Sequence, residues 1–159
     1  MDNIQNIINN LATKASDLSF SKPIFVHYIS NPDGSVRWLW PTTSKNPLFL
    51  KFYLVQGWKA HLFFTLVKLV FALRLQRLVF KSAQVLITPS SINEEIIEHT
   101  DWALFTGTIG PNQKYILYQE DATALGGSFT KIGLTPQSNA LIAHEKDTIE
   151  KLSKSKDLS

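Results

Sequence analysis

The chain has 159 residues, a net charge of +3, 44% hydrophobic and 18% charged residues, and no cysteine. Its length fits one domain, or one small domain with an appended segment, and its composition is sufficient for a core. The missing cysteines exclude disulfides, thiolate metal sites and cysteine nucleophiles, and the small net charge gives no ground for nucleic-acid binding.

The opening MDNIQNIINNLATKASDL lacks a basic and then apolar leader, so it does not read as a secretory signal, and the expected location is the cytoplasm. Ile4, Ile7, Ile8 and Leu11 recur at helical spacing and predict an amphipathic helix over 3–15. PIFVHYIS and SVRWLW are rich in β-branched and aromatic residues and flank Asn31-Pro32-Asp33-Gly34, strong turn chemistry, so 23–40 predicts a hairpin. Pro41 and Pro47 bracket a loop.

Residues 48–86 form the longest apolar tract, interrupted by Lys59, Lys68, Arg74, Arg77 and Lys81, which argues against a membrane span. The spacing predicts one amphipathic helix from Gly57 to about Gln84. Its polar side changes face near Ala72: His61, Thr65, Lys68 and Gln76 share one face, and Arg74, Arg77, Lys81 and Gln84 share nearly the opposite one. The helix is therefore expected to bend there or to meet different partners along its two halves. No acidic residue lies between Asp33 and Glu94.

From Trp102 the period shortens to two. WALFTGT, KYILYQ and SFTKIG predict three strands, joined by an IGPNQ turn and an EDATALGG loop. Thr135-Pro136 then places a capping threonine and a first-turn proline at the start of a helix running to about Leu152. In that helix Ile142, Glu145, Ile149 and Leu152 are spaced three, four and three, so Glu145 falls within the apolar stripe. A carboxylate there calls for a cation or donors, and Lys131 on the preceding strand is the candidate. Two unrelated surface charges satisfy the same spacing.

The order of hairpin, lysine strand and helix with glutamate resembles the N-lobe of the protein-kinase-like superfamily. WALFTGTIGPNQKYILYQ and FTKIGLTPQSNALIAHEKDTIEKL are similar to the corresponding hairpin and lysine–helix segment of bacterial aminoglycoside-phosphotransferase-like proteins, over roughly Trp102 to Leu152. The resemblance implies an α+β fold with a small antiparallel sheet and flanking helices. It implies a helical and hairpin extension over 1–100 and a partial N-lobe over 101–159. It assigns ATP binding to Lys131, held by Glu145, and to the turn at Gly107, Thr108 and Gly110. Three features depart from the pattern. A full G-x-G-x-x-G is absent, Phe129 stands two before the lysine where kinases carry a small residue, and neither H-x-D-x-x-x-x-N nor D-F-G occurs. The chain is thus expected to be the nucleotide-binding front of a small-molecule kinase whose catalytic lobe is missing. ATP binding is expected to be weak, with Mg²⁺ held only together with that lobe and no turnover alone.

The histidines His27, His61, His99 and His144 show no metal spacing and read as surface or half-buried residues. The basic aromatic tract over 57–84 allows a second class of function, a non-catalytic interaction or membrane-surface module. A helix packed against the sheet, with its lysine and arginine stems reaching outward, explains the same tract.

Overall fold

The computed structural model describes residues 4, 6 and 7, 22–87, 101–120 and 126–156. They form an α+β fold on one six-stranded antiparallel sheet, with strand order β3-β1-β2-β4-β5-β6. The strands are β1 (Lys22–Ser30), β2 (Val36–Pro41), β3 (Lys81–Ile87), β4 (Trp102–Phe105), β5 (Lys114–Glu120) and β6 (Gly127–Gly133). A 3-10 turn spans Leu48–Phe52, and the helices are α1 (Gly57–Ala72), α2 (Gln76–Val79) and α3 (Pro136–Lys156).

The β1–β2 hairpin forms where its turn residues predict. Gly34 takes φ 84°, and the Asp33 carboxylate accepts hydrogen bonds from Ser35 N and Oγ at 2.8 and 2.6 Å, closing a side-chain turn. Alternation along the strands sends residues to two cores. One face gathers Val26, Leu39, Val85, Trp102, Leu104 and Leu117, with Ile4 and Ile7 packed on it. Ile4, Asn6 and Ile7 are helical, and the rest of the helix expected over 3–15 lies outside the described residues. The other face carries Trp38, Trp40, Phe49, Val67 and Phe71, a cluster of rings under α1 and the 3-10 turn. Trp40 stacks on Phe49 with centroids 4.4 Å apart and meets Phe80 edge-on at 5.0 Å.

Three expectations change. The helix from Gly57 ends at Ala72, not near Gln84. Leu75 N donates to Val70 O and Arg74 N to Phe71 O, a Schellman closure whose left-handed position, φ 56°, is filled by Arg74. The switch of polar face near Ala72 thus marks the end of the helix. Beyond α2 the chain becomes β3, because Ala83 and Val85 alternate inward and pair with β1 along its length. Spacings of three and four among Arg77, Lys81 and Gln84 imitate a helix, but tertiary pairing wins.

Second, β2 pairs with β4, Trp38 with Phe105 and Leu39 with Leu104, so one sheet runs across the boundary expected at residue 100. Third, the apolar stripe of α3 is only partly covered: Ile142 is half-buried, while Leu141, Ile149 and Leu152 are exposed. A 21-residue helix is about 31 Å long and a seven-residue strand about 23 Å, so the helix outruns the strand it packs on. Among the described residues no helix is long and apolar enough to cross a membrane.

Candidate functional site

The register of β5 and β6 puts Lys114 opposite Gly133, Ile116 opposite Lys131 and Tyr118 opposite Phe129. Side chains two apart share a face, so Lys114, Ile116, Lys131 and Phe129 project together, on the side of the sheet that also carries Tyr118. The start of α3 is locked to this face. Ser138 N donates to Thr135 Oγ1 at 3.0 Å and Thr135 N to Ser138 Oγ at 2.9 Å, a reciprocal cap with serine in the role usually taken by glutamate. Thr135 Oγ1 also donates to Pro111 O at 2.6 Å, tying the helix start to the β4–β5 turn. A Cβ on Gly133 would stand 2.1 Å from Asn139 Oδ1, so the close approach of the first helical turn requires glycine there.

Three turns further on, Glu145 reaches back over the strands. Its Oε1 accepts from Lys114 Nζ at 2.9 Å, and its Oε2 accepts a short bond from Lys131 Nζ. The two bonds, first from Lys131 and then from Lys114, pull the Glu145 carboxyl down to about 2. It is ionised at any physiological pH. One carboxylate between two ammonium groups leaves one positive charge in excess, and the side chains keep 31% (Lys114), 42% (Lys131) and 40% (Glu145) of their surface exposed. At that exposure the network adds little stability but stays open to an anion.

The β4–β5 turn lies beside this cluster. Gly107 takes φ 71° and its Cα lies so close to the strand that a Cβ would stand 2.6 Å from Lys114 O, a geometry that excludes other residues. Gln113 Nε2 donates to Thr106 O at 3.2 Å and Gln113 N to Gly110 O at 3.0 Å, closing the loop. Gly107, Thr108 and Gly110 line a cleft of about 390 Å³ together with Phe105, Lys114 and Ile116. Lys131 does not line it. Lys114 is the shared member, belonging to the cleft and paired to Glu145.

Of the residues expected at the site, Lys131 and Glu145 are brought into contact, and the turn glycines sit next to them through Lys114. The part played by Lys114 was not legible in the sequence, because its place on the Lys131 face depends on the register across the EDATALGG connection. Phe129 is 55% exposed and packs against Tyr118 at 4.8 Å and Phe52 at 5.7 Å. The assembly defines a class: a single-sheet α+β domain with two strand lysines clamped by a helix glutamate beside a glycine turn. Comparison with protein-family models, with curated proteins and with solved structures gives no match for this chain.

Proposed function

We propose that the chain is the nucleotide-binding, N-lobe-like portion of a small-molecule kinase of the aminoglycoside-phosphotransferase type, with Lys131 as the phosphate-holding lysine and Glu145 as the residue that positions it. The observation that carries the reading is the Lys131–Glu145 contact between a strand and the helix that follows it. The neighbouring groups suit a nucleotide in one line. The exposed ring of Phe129 offers a face for the base, Lys131 and Lys114 offer charge to the phosphates, and the turn around Gly107, Thr108 and Gly110 offers a cleft with backbone N–H groups. A phenylalanine at 129 fits a base laid against its ring rather than one slotted beneath a small residue.

Phosphoryl transfer itself would draw on acidic, metal-holding groups outside these 159 residues. The lysines then bind and orient the phosphates, and Glu145 keeps Lys131 ionised and aimed. Without metal to neutralise the β- and γ-phosphates, ATP should bind with a dissociation constant on the order of a millimolar, about 4 kcal/mol, and should weaken with salt. Titration of the chain with ATP by calorimetry tests this. Saturable heat that is lost in Lys131→Ala supports the reading, and equal titration of parent and variant rejects it.

A second reading is favoured by one feature. Leu62, Leu66, Leu69 and Leu73 are each more than half exposed and lie on one side of α1, with Trp58 at its start and Lys59 and Lys68 at the flanks. An exposed apolar band edged by cations fits a membrane-surface module. Co-sedimentation with vesicles containing phosphatidylglycerol, lost when Leu66 and Leu69 are both replaced by serine, would favour it.

A further inference from the structure

Far from the Lys131 cluster, toward the other end of the sheet, a second cavity of about 570 Å³ opens between the loop after β2, the C-terminal end of α1 and the start of α2. Lys45, Arg74 and Arg77 line it, with Thr43 and Gln76 among the other lining residues. None of the three cations is in an ion pair among the described residues. The nearby acid is Asp101, which accepts from Ser44 Oγ at 3.2 Å and is not itself part of the lining.

His27 closes the inner wall. It is 1% exposed, its Nδ1 lies 2.9 Å from Ser82 Oγ, and its Nε2 has no hydrogen-bond partner among the described residues. That nitrogen is sealed from the cavity, so the ring contributes an apolar, neutral wall. Burial, and to a lesser extent the Arg77 charge, holds this imidazole below its usual value against the pull of a backbone bond at Lys81, so it adds no positive charge to the wall at neutral pH. Arg74 adds a further sign. It occupies a left-handed backbone position that glycine would fill without strain, and it lines the cavity.

We infer that this cavity is a binding site for a phosphate group, held by Arg74, Arg77 and Lys45 with hydrogen bonds from the Thr43 side. Guanidinium pairs and hydroxyls are the donors that suit a tetrahedral oxyanion, and the 60 residues from Gly34 to Asn93 contain no acid to compete for them. The phosphate has two possible sources. A small phosphorylated molecule would enter whole. A lipid headgroup would leave its chains over the exposed leucines of α1, which end at Leu73 beside Arg74.

The test titrates the full chain with inorganic phosphate at constant ionic strength, chloride serving as the matched anion, and follows amide shifts. Saturable shifts confined to Thr43, Lys45, Arg74 and Arg77, with affinity at least fivefold weaker in Arg77→Gln and in Arg74→Gly, establish the site. Arg74→Gly relieves backbone strain, so it stays folded even if Arg77→Gln does not. In the second arm, phosphatidylglycerol vesicles compete with phosphatidylcholine vesicles. Capture by the anionic vesicles alone, reduced in both variants, also supports the site and assigns it to a headgroup. Shifts that chloride reproduces, or phosphate and vesicle binding unchanged in both variants, overturn the inference.

Discussion

Replacing Arg74 with glycine should stabilise the protein. At the end of α1 the chain makes both hydrogen bonds of a Schellman closure, Leu75 N to Val70 O at 2.9 Å and Arg74 N to Phe71 O at 3.0 Å, and φ at Arg74 is 56°. A left-handed conformation costs an L-residue roughly 1–2 kcal/mol, whereas glycine adopts it freely. Glycine returns part of that gain, about 0.5–1 kcal/mol, because its unfolded chain is more flexible. Arg74 is exposed, so little packing is lost. The net expectation is about 0.5–1 kcal/mol of added stability, or a Tm higher by about 1–4 °C for a chain of this size. Arg74→Ala is the control: it removes the guanidinium, keeps the strained backbone, and should melt within about 0.5 kcal/mol of the parent. Urea and thermal unfolding followed by circular dichroism measure both. A glycine variant that melts below the alanine variant would refute the assignment of strain to this residue.

Trp40 is fully buried among Phe49, Phe71 and Phe80, so Trp40→Ala should cost about 3–5 kcal/mol in urea unfolding. Its indole N–H has no partner among the described residues, so Trp40→Phe removes an orphan donor with part of the volume and should cost far less; equal costs would contradict this packing. Gly107→Ala should destabilise by about 1–3 kcal/mol, since the new methyl group meets Lys114 O at 2.6 Å on a backbone already at φ 71°, and an unchanged unfolding midpoint would show that the turn is built differently. Glu145 is held at about 2, below its ordinary 4.5, so its contribution to stability is present above pH 4.5 and is lost as the pH falls toward 2. The Tm difference between the parent and Glu145→Gln should therefore be largest near neutral pH and close across that acid range; a gap independent of pH would mean that the carboxylate is not paired.

Local chemistry made several elements readable in advance. Asn-Pro-Asp-Gly fixed the first hairpin, and Thr135-Pro136 fixed the start of α3, because turns and caps are set by a few neighbouring residues. The inward spacing of Glu145 pointed to Lys131 for a similar reason: a charge on an apolar stripe needs a partner, and the strand before the helix is near. What depended on distant pairing was hidden. Residues 81–87 repeat charges at helical spacing but become a strand only because β1 is there to receive them. The joining of β2 to β4 and the arrival of Lys114 beside Glu145 follow from sheet order and register, which no local pattern specifies. His27 reads in sequence as an ordinary surface or half-buried histidine, yet it is buried at the wall of a basic cavity, because the residues around it come from segments distant in the chain.

The most direct test of the nucleotide reading is a chemical-shift titration with ATP of the parent, Lys131→Ala and Lys146→Ala. Lys146 sits on the same helix as Glu145, pairs among the described residues with Glu150 at 3.9 Å, and controls for loss of one positive charge away from the site. Saturating shifts should cluster at Thr108–Gly110, Lys114, Phe129 and Lys131, persist in Lys146→Ala, and require at least several-fold more ATP in Lys131→Ala. If ATP shifts no resonance in that group, or if Lys131→Ala titrates like the parent, Lys131 is a surface charge and the proposed function fails.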